Sequence, residues 1–237
     1  MVDSQNANPF IYLVKRAITI LRTDGPGNLV KRMKDRAFLK PLQVHCFVYV
    51  NKNCAELPLP ICDVEMELRE MTAADSDEIE KLTAVDEWHT SKSFTLKRLE
   101  EGEHIYNAKH QGRIVASQSI VTKDRFKDPV FKREFKIGPN EAYCWRGFCV
   151  PAFRGRGIWP VILRYYLNDM ALKYGRSNAL GIVLTTNKSS MRGLSKIGWV
   201  KVGRVGFFEM FGIRFHYLLG REAFKETKQR FLIQNIG

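Results

Sequence analysis

The sequence predicts an α/β (α+β) domain with a helical N-terminal extension, and three observations carry that expectation. Short strand-like stretches and amphipathic helical stretches alternate from residue 61 onward. A glycine-rich turn, Arg154-Gly155-Arg156-Gly157, separates a strand pattern from an apolar helix pattern. The chain has 237 residues with 45% hydrophobic and 27% charged side chains, enough to build one ordinary domain plus an appendage.

In the N-terminal part, Phe10, Leu13, Val14, Ala17, Ile18 and Leu21 recur at helical spacing, so residues 8–22 predict an amphipathic helix. Asp24-Gly25-Pro26-Gly27 breaks it, and a basic helix follows from Asn28 to about Phe38. Val44–Val50 reads as a strand, and Leu57–Pro60, with two prolines, reads as a linker. Residues 1–60 are therefore set apart as a basic, helical extension with one strand, and the main domain is assigned to residues 61–220.

Within that domain, Val64–Met71 alternates as a half-buried strand does, and helices are expected from Thr72 to Val85 and over Phe94–Glu101. Ile105–Lys109 and Ile114–Thr122, joined at Gln111-Gly112, predict a hairpin. Residues 123–140 read as a basic irregular segment, and Glu141–Val150 as a strand. An apolar helix runs from Trp159 to about Tyr174, then a strand over Leu180–Thr186 and a short helix after Asn187. Strands near Trp199–Met210 and Ile213–Leu219 precede a basic tail helix over residues 221–237.

Composition excludes several function classes. The five cysteines form no C-x-x-C pair and the five histidines form no H-E-x-x-H, so neither a disulfide framework nor a metal site is expected. No apolar run reaches the roughly 18–20 residues of a membrane span. The first residues carry no positive cap, apolar core and cleavage site, so a reducing, cytoplasmic address is expected. Residues 141–237 hold 16 basic and 5 acidic side chains, whereas residues 61–140 hold 13 and 16. The C-terminal half therefore favours a polyanionic partner. Its aromatics do not interleave with the basic residues as in an RNA-binding surface, which leaves a phosphorylated cofactor ahead of nucleic acid.

Val150-Pro151-Ala152-Phe153-Arg154-Gly155-Arg156-Gly157-Ile158 supplies the cofactor candidate. Glycines between strand and helix leave backbone N–H groups uncovered at a helix N-terminus, which is a phosphate cradle. A surface turn with exposed arginines is the plainer alternative. A Walker loop is excluded because no G-K-[ST] ends the segment. A Rossmann turn is excluded because Pro160 stands where the third glycine belongs.

A second segment, Asn187 to Trp199, completes a pattern. With the loop, it resembles the Gcn5-related N-acetyltransferase (GNAT) superfamily. That family's loop reads [QR]-x-x-G-x-[GA], and Ala152–Gly157 matches except at the first position. Asn187, Ser190, Lys196, Gly198 and Trp199 fall at the spacing of its later motif. The resemblance implies a mixed, splayed sheet flanked by helices, with acetyl-CoA or another acyl-CoA as co-substrate and no metal. It assigns the donor to Phe148, Cys149, Val150, Arg154, Gly155, Arg156, Gly157, Ile158, Asn187 and Ser190. Pantetheine would pair with the strand near Phe148–Val150, as an added strand does.

The same resemblance implies N-acyl transfer, most simply N-acetyl transfer, to a small-molecule amine by direct attack. Such an amine has a pKa near 10 and needs a base. Glu141 lies as far before Gly157 as the catalytic glutamate of the histone acetyltransferase branch. Asp86, Glu87 and His89 are rival candidates, in the region that walls the acceptor site. Leu194 occupies the position where many members carry a tyrosine that protonates the thiolate, leaving Ser190, Ser195, Tyr217 or water. A long-chain N-acyl transferase and a non-catalytic coenzyme-A-binding scaffold are the alternatives. The N-terminal helices have two readings: packing on this domain or on a second copy in a homodimer, or peripheral contact with an anionic membrane.

Overall fold

The computed structural model describes residues 42–52, 57–75, 91–210 and 213–220, together with positions 22, 77 and 79. The expected helices over 8–22 and 28–38, most of the expected helix over 72–85, and the tail over 221–237 lie outside the described residues.

In chain order the elements are Leu42–Asn51 (β1), Glu67–Glu70 (β2), Lys92–Glu100 (α1), His104–His110 (β3), Arg113–Val121 (β4), Arg125–Asp128 (β5) and Arg133–Lys136 (β6). Then come Glu141–Cys149 (β7), Ile158–Tyr174 (α2), Asn178–Leu184 (β8), Lys188–Lys196 (α3), Val200–Met210 (β9) and Ile213–Gly220 (β10). Short 3₁₀ turns lie at Ala73–Asp75 and Pro151–Phe153. Among the described residues one eight-stranded sheet runs β10-β9-β1-β8-β7-β4-β3-β2. β7 and β8 are parallel and the other neighbours antiparallel, so the sheet is mixed.

Two assignments change in space. β1, placed by sequence in the N-terminal extension, lies inside the main sheet between β8 and β9. Its partners are far along the chain, so the prolines at 58 and 60 mark a break in sequence and not in the sheet. The Leu57 end of the expected linker is also tied down. Its N–H donates to Asn168 Oδ1 at 3.3 Å, and its C=O accepts from Asn168 Nδ2 at 2.8 Å, fastening it to α2. Second, the segment expected to be irregular contains the β5–β6 hairpin. Asp128 organises it: Oδ1 accepts the N–H groups of Val130 (2.8 Å) and Phe131 (3.0 Å), and Oδ2 accepts the Tyr143 hydroxyl (2.9 Å). Burial pushes the Asp128 carboxyl up from its ordinary value, opposed by those three donors.

The sheet carries a core on each face. On one, α2 buries Ile158, Ile162, Leu163, Tyr166, Leu167 and Met170 against Tyr106, Ala108, Ala116, Ile120, Ala142 and Cys144. Those helix positions fall near i, i+4 and i+8, the stripe a 3.6-residue turn presents. On the other, Phe126, Phe131 and Phe135 of the hairpin region cover Val121, Tyr143, Leu180 and Phe207. α1 lies on this second face; its N-cap Ser91 accepts the Phe94 N–H, and its inward residues are Thr95 and Arg98.

At the β2 edge, Asp75 is buried and accepts from the Thr72 N–H at 2.9 Å, pairs with Lys109 Nζ at 2.8 Å, and also binds Arg69. Burial opposes its charge, but hydrogen bonds from Lys109 and Thr72 and the charges of Lys109 and Arg69 prevail, holding its carboxyl below the ordinary value. A depressed carboxylate stabilises the fold above its unfolded pKa, and the contribution fades as pH falls through the folded value. Asp75→Asn should therefore cost about 1.5–3 kcal/mol at pH 7. Urea unfolding should show the gap from the parent protein closing once pH drops below about 4. A gap unchanged at pH 3 would mean that the carboxylate charge contributes nothing.

Candidate functional site

β7 pairs with β8 only from Glu141↔Asn178 to Cys144↔Gly181. β8 continues to Leu184 against β1, and β7 continues to Cys149 against β4. From Trp145 to Cys149, β7 therefore has no ladder partner in β8, and the sheet opens as a V.

A bulge sits at the point of divergence. Between the pairs Ser119↔Trp145 and Ser117↔Phe148, Gln118 of β4 faces two residues of β7, Arg146 and Gly147. Arg146 has φ of 52°, a left-handed conformation that costs a side-chain-bearing residue about 1–2 kcal/mol. The Gln118 amide donates to the Trp145 carbonyl at 2.7 Å, satisfying a group that the bulge takes out of the ladder. A Cβ on Gly147 would lie 2.7 Å from Gln118 Oε1 and 3.0 Å from Trp159 Nε1, so a side chain here would have to displace the Gln118 amide.

Beyond the open edge lies the glycine turn. Gly155 and Gly157 have φ of 81° and 79°, and a Cβ on Gly155 would meet nothing within 4 Å. Gly157 is the N-cap of α2 and offers no side-chain cap. The N–H groups of Gly155, Arg156, Gly157, Ile158 and Trp159 bond to no acceptor among the described residues. They cluster where the helix dipole is positive. Arg154 and Arg156 on the turn, with Lys188 and Arg192 on α3, are exposed, and none pairs with a described carboxylate within 4 Å. Free N–H groups at a helix N-terminus beside unpaired cations are a chemistry that suits an anion.

On the α1 face, Trp145 lines a pocket of about 180 Å³ with Phe94, Phe126, Arg98 and Glu103. Arg98 Nε lies 3.0 Å from Glu103 Oε2, Trp145 Nε1 donates to the same oxygen at 3.1 Å, and Arg98 also binds the Ser119 hydroxyl. Burial pushes the Glu103 carboxyl up, against the opposing pull of Arg98 and the Trp145 hydrogen bond. Both Glu103 contacts fall on Oε2, leaving Oε1 available.

No family model matches the chain, and no curated protein matches it. Solved structures match in fold. A Drosophila protein aligns at TM-score 0.53 and 16% identity, covering 79% of this chain and 58% of its own. A GNAT-family acetyltransferase from Colwellia psychrerythraea aligns at TM-score 0.51 and 16% identity, covering 71% of this chain and 57% of its own. The chain has the GNAT fold. It spans less than two thirds of the length of either of those structures.

Within the GNAT fold the expected donor residues are distributed as follows. Arg154–Ile158 form the glycine turn and the first residue of α2. Phe148, Cys149 and Val150 run along the open strand with unequal roles. The Val150 N–H bonds Val115 on β4 at 2.9 Å, so strand alternation turns the Cys149 N–H toward the cleft. The Cys149 carbonyl already accepts Arg154 Nε at 3.0 Å. Asn187 caps α3, its Oδ1 accepting the Ser190 N–H at 3.0 Å. Leu194 is buried in the core beside Ile197 and Trp199.

The base candidates separate. Glu141 opens β7, where β7 and β8 are still paired, and its Oε2 accepts the Gly138 N–H at 3.0 Å. It lies four residues, about 13 Å of strand, from the open edge at Trp145. Asp86, Glu87 and His89 lie outside the described residues. Tyr217 is on β10, three strands or about 14 Å from β8, in contact with His45. Ser195 Oγ donates to the Met191 carbonyl within α3. Glu103, Arg98 and Trp145 escaped sequence reasoning because Glu103 sits in an acidic turn, Glu100-Glu101-Gly102-Glu103, that reads as solvated surface. Only the fold brings Trp145, 42 residues later, against it.

Trp159 also has a defined seat. Its indole lies between Gly147 of β7 and Gly193 of α3, where a Cβ on Gly193 would come 2.8 Å from Cε3. Gly193→Val should displace the indole, alter the near-UV circular dichroism, and cost about 1–3 kcal/mol of stability. An unchanged spectrum and urea midpoint would place the indole elsewhere.

Proposed function

We propose that the chain is an acyl-CoA-dependent N-acyltransferase that transfers an acetyl or similar short acyl group to a small-molecule amine. One observation carries this reading: five free backbone N–H groups at a positive helix terminus lie at the end of a strand whose inner edge is unpaired. The first feature suits a pyrophosphate and the second an extended amide-bearing chain, and acyl-coenzyme A joins the two chemistries in one molecule.

In this reading the N–H groups of Gly155 to Ile158 hold the pyrophosphate, with Arg154, Arg156, Lys188 and Arg192 supplying charge. The Cys149 N–H pairs with the pantetheine arm and directs it toward the bulge at Arg146. The bound donor supplies a thioester carbonyl as the electrophile. The acceptor amine arrives as ammonium and must lose a proton before its lone pair can form the new C–N bond. Glu103 is the base best supported by position, because it lines the pocket beside Trp145 and burial favours its taking up a proton. As the C–S bond breaks, the thiolate takes a proton from Ser190 or from water, since Leu194 has none to give.

Two measurements test the reading. By calorimetry, acetyl-CoA should bind in the micromolar range, and Gly155→Asp should abolish binding while the fold survives. The added carboxylate faces the same anion, and Asp is among the residues that tolerate a positive φ. Equal affinity in the variant would remove the donor assignment. Glu103→Gln should lower turnover by about 10²–10⁴-fold with donor affinity little changed, whereas Glu141→Gln should stay near the parent rate. The reverse result would return the role to Glu141. Binding without turnover of any amine would leave a coenzyme-A-binding module.

A further inference from the structure

The pocket beside Trp145 has a charge pattern that bears on the acceptor. Its interior charges are compensated. Arg98 pairs with Glu103, and Arg125 on the rim pairs with Glu134 at 3.0 Å. Glu101, also lining it, lies 3.8 Å from Lys97. Two rim cations are left over. Lys123 and Lys127 are exposed, line the pocket, and have no carboxylate within 4 Å among the described residues. Asp124, between them in sequence, does not line it.

The walls are aromatic. Phe126 and Trp145 have ring centroids 4.9 Å apart, and Phe94 stands opposite, with Arg98 over both Phe94 and Trp145. The pocket thus presents the Arg98–Glu103 pair inside, aromatic walls, and at the mouth two ammonium groups with no carboxylate within 4 Å among the described residues, the charge of Lys123 also reaching Glu103. It adjoins Trp145, the first residue of β7 without a β8 partner.

We infer that the acceptor is an amine that also carries an anionic group, a carboxylate or a phosphate. Its amine points inward to Glu103, and its anion is held at the mouth by Lys123 and Lys127. The inference rests on the acyltransferase reading above. A simple monoamine enters as a cation and meets two like charges before it reaches Glu103, whereas in an amine with a distal anion that anion pairs with the two lysines and offsets the repulsion. Glu103 would touch the reacting amine; Lys123 and Lys127 act on selection only.

The test uses the full chain saturated with coenzyme A and two matched acceptor pairs: hexylamine against 6-aminohexanoate, and glucosamine against glucosamine 6-phosphate. The first pair probes a carboxylate and the second a phosphate. In calorimetry at low salt, the anion-bearing member of at least one pair should bind about tenfold more tightly than its cationic monoamine partner. The double variant Lys123→Glu, Lys127→Glu should erase or invert that preference, weakening the anion-bearing member and leaving the cationic monoamine bound at least as tightly as by the parent chain. The preference should also shrink as salt is raised. The inference is overturned if neither anionic member binds more tightly than its partner, or if the preference survives the double variant. Loss of coenzyme A binding in the same titrations would be a separate result: the acyltransferase reading itself would then fail.

Discussion

Adjacent parallel strands normally stay hydrogen-bonded along their shared length, because each unpaired N–H and C=O in a sheet interior is costly. Here β7 and β8 share only four paired positions before they part at Cys144 and Gly181. The rest of the molecule accommodates that separation. β7 keeps its outer edge on β4 by inserting an extra residue at Arg146–Gly147, and Gln118 satisfies the displaced Trp145 carbonyl. β8 keeps its outer edge on β1 through Cys46↔Leu184. Each strand thus retains one full ladder, and the backbone groups lining the V face outward where an extended chain could pair with them.

The crossover from β7 to β8 determines what stands at the mouth of the V. It passes through the glycine turn into α2, so the helix N-terminus and its free N–H groups lie just beyond the open edge. α2 can hold this place because its apolar stripe is fixed against β3, β4 and β7. Asn168 ties the incoming Leu57 segment to the same helix. The glycine turn and the open edge are consequences of one connection.

The opposite face has a different character. α1 docks with Thr95 and Arg98 buried and Leu99 packed on Met71, Ile105 and Ile114, and the buried Arg98–Glu103 pair is anchored by Trp145 and Ser119. Removing either partner of such a pair leaves a buried charge, which ordinarily costs about 3–5 kcal/mol. That makes Glu103 both a structural and a chemical group. The aromatic contacts of Phe126 and Trp145 then shape the pocket that opens beside it.

Sequence by itself determined the elements whose signals are local. The β3–β4 hairpin with Gln111-Gly112 at its turn, the 3.6-residue stripe of α2, the Asn187 cap of α3 and the glycine turn all follow from spacing and backbone preference. The GNAT resemblance, carried by two short segments, reached the fold. Tertiary structure alone decided what depends on distant partners. β1 joined the sheet because its ladders are with β8 and β9, more than 120 residues away. The β5–β6 hairpin formed because Asp128 and three phenylalanines found Tyr143 and its neighbours, not because its own four-residue strands are persuasive. Glu103 looked like a surface carboxylate until the fold set Arg98 and Trp145 on it. Local periodicity encodes the conformation of a segment, whereas burial, pKa and the point where two strands part are properties of neighbours that the chain brings together only on folding.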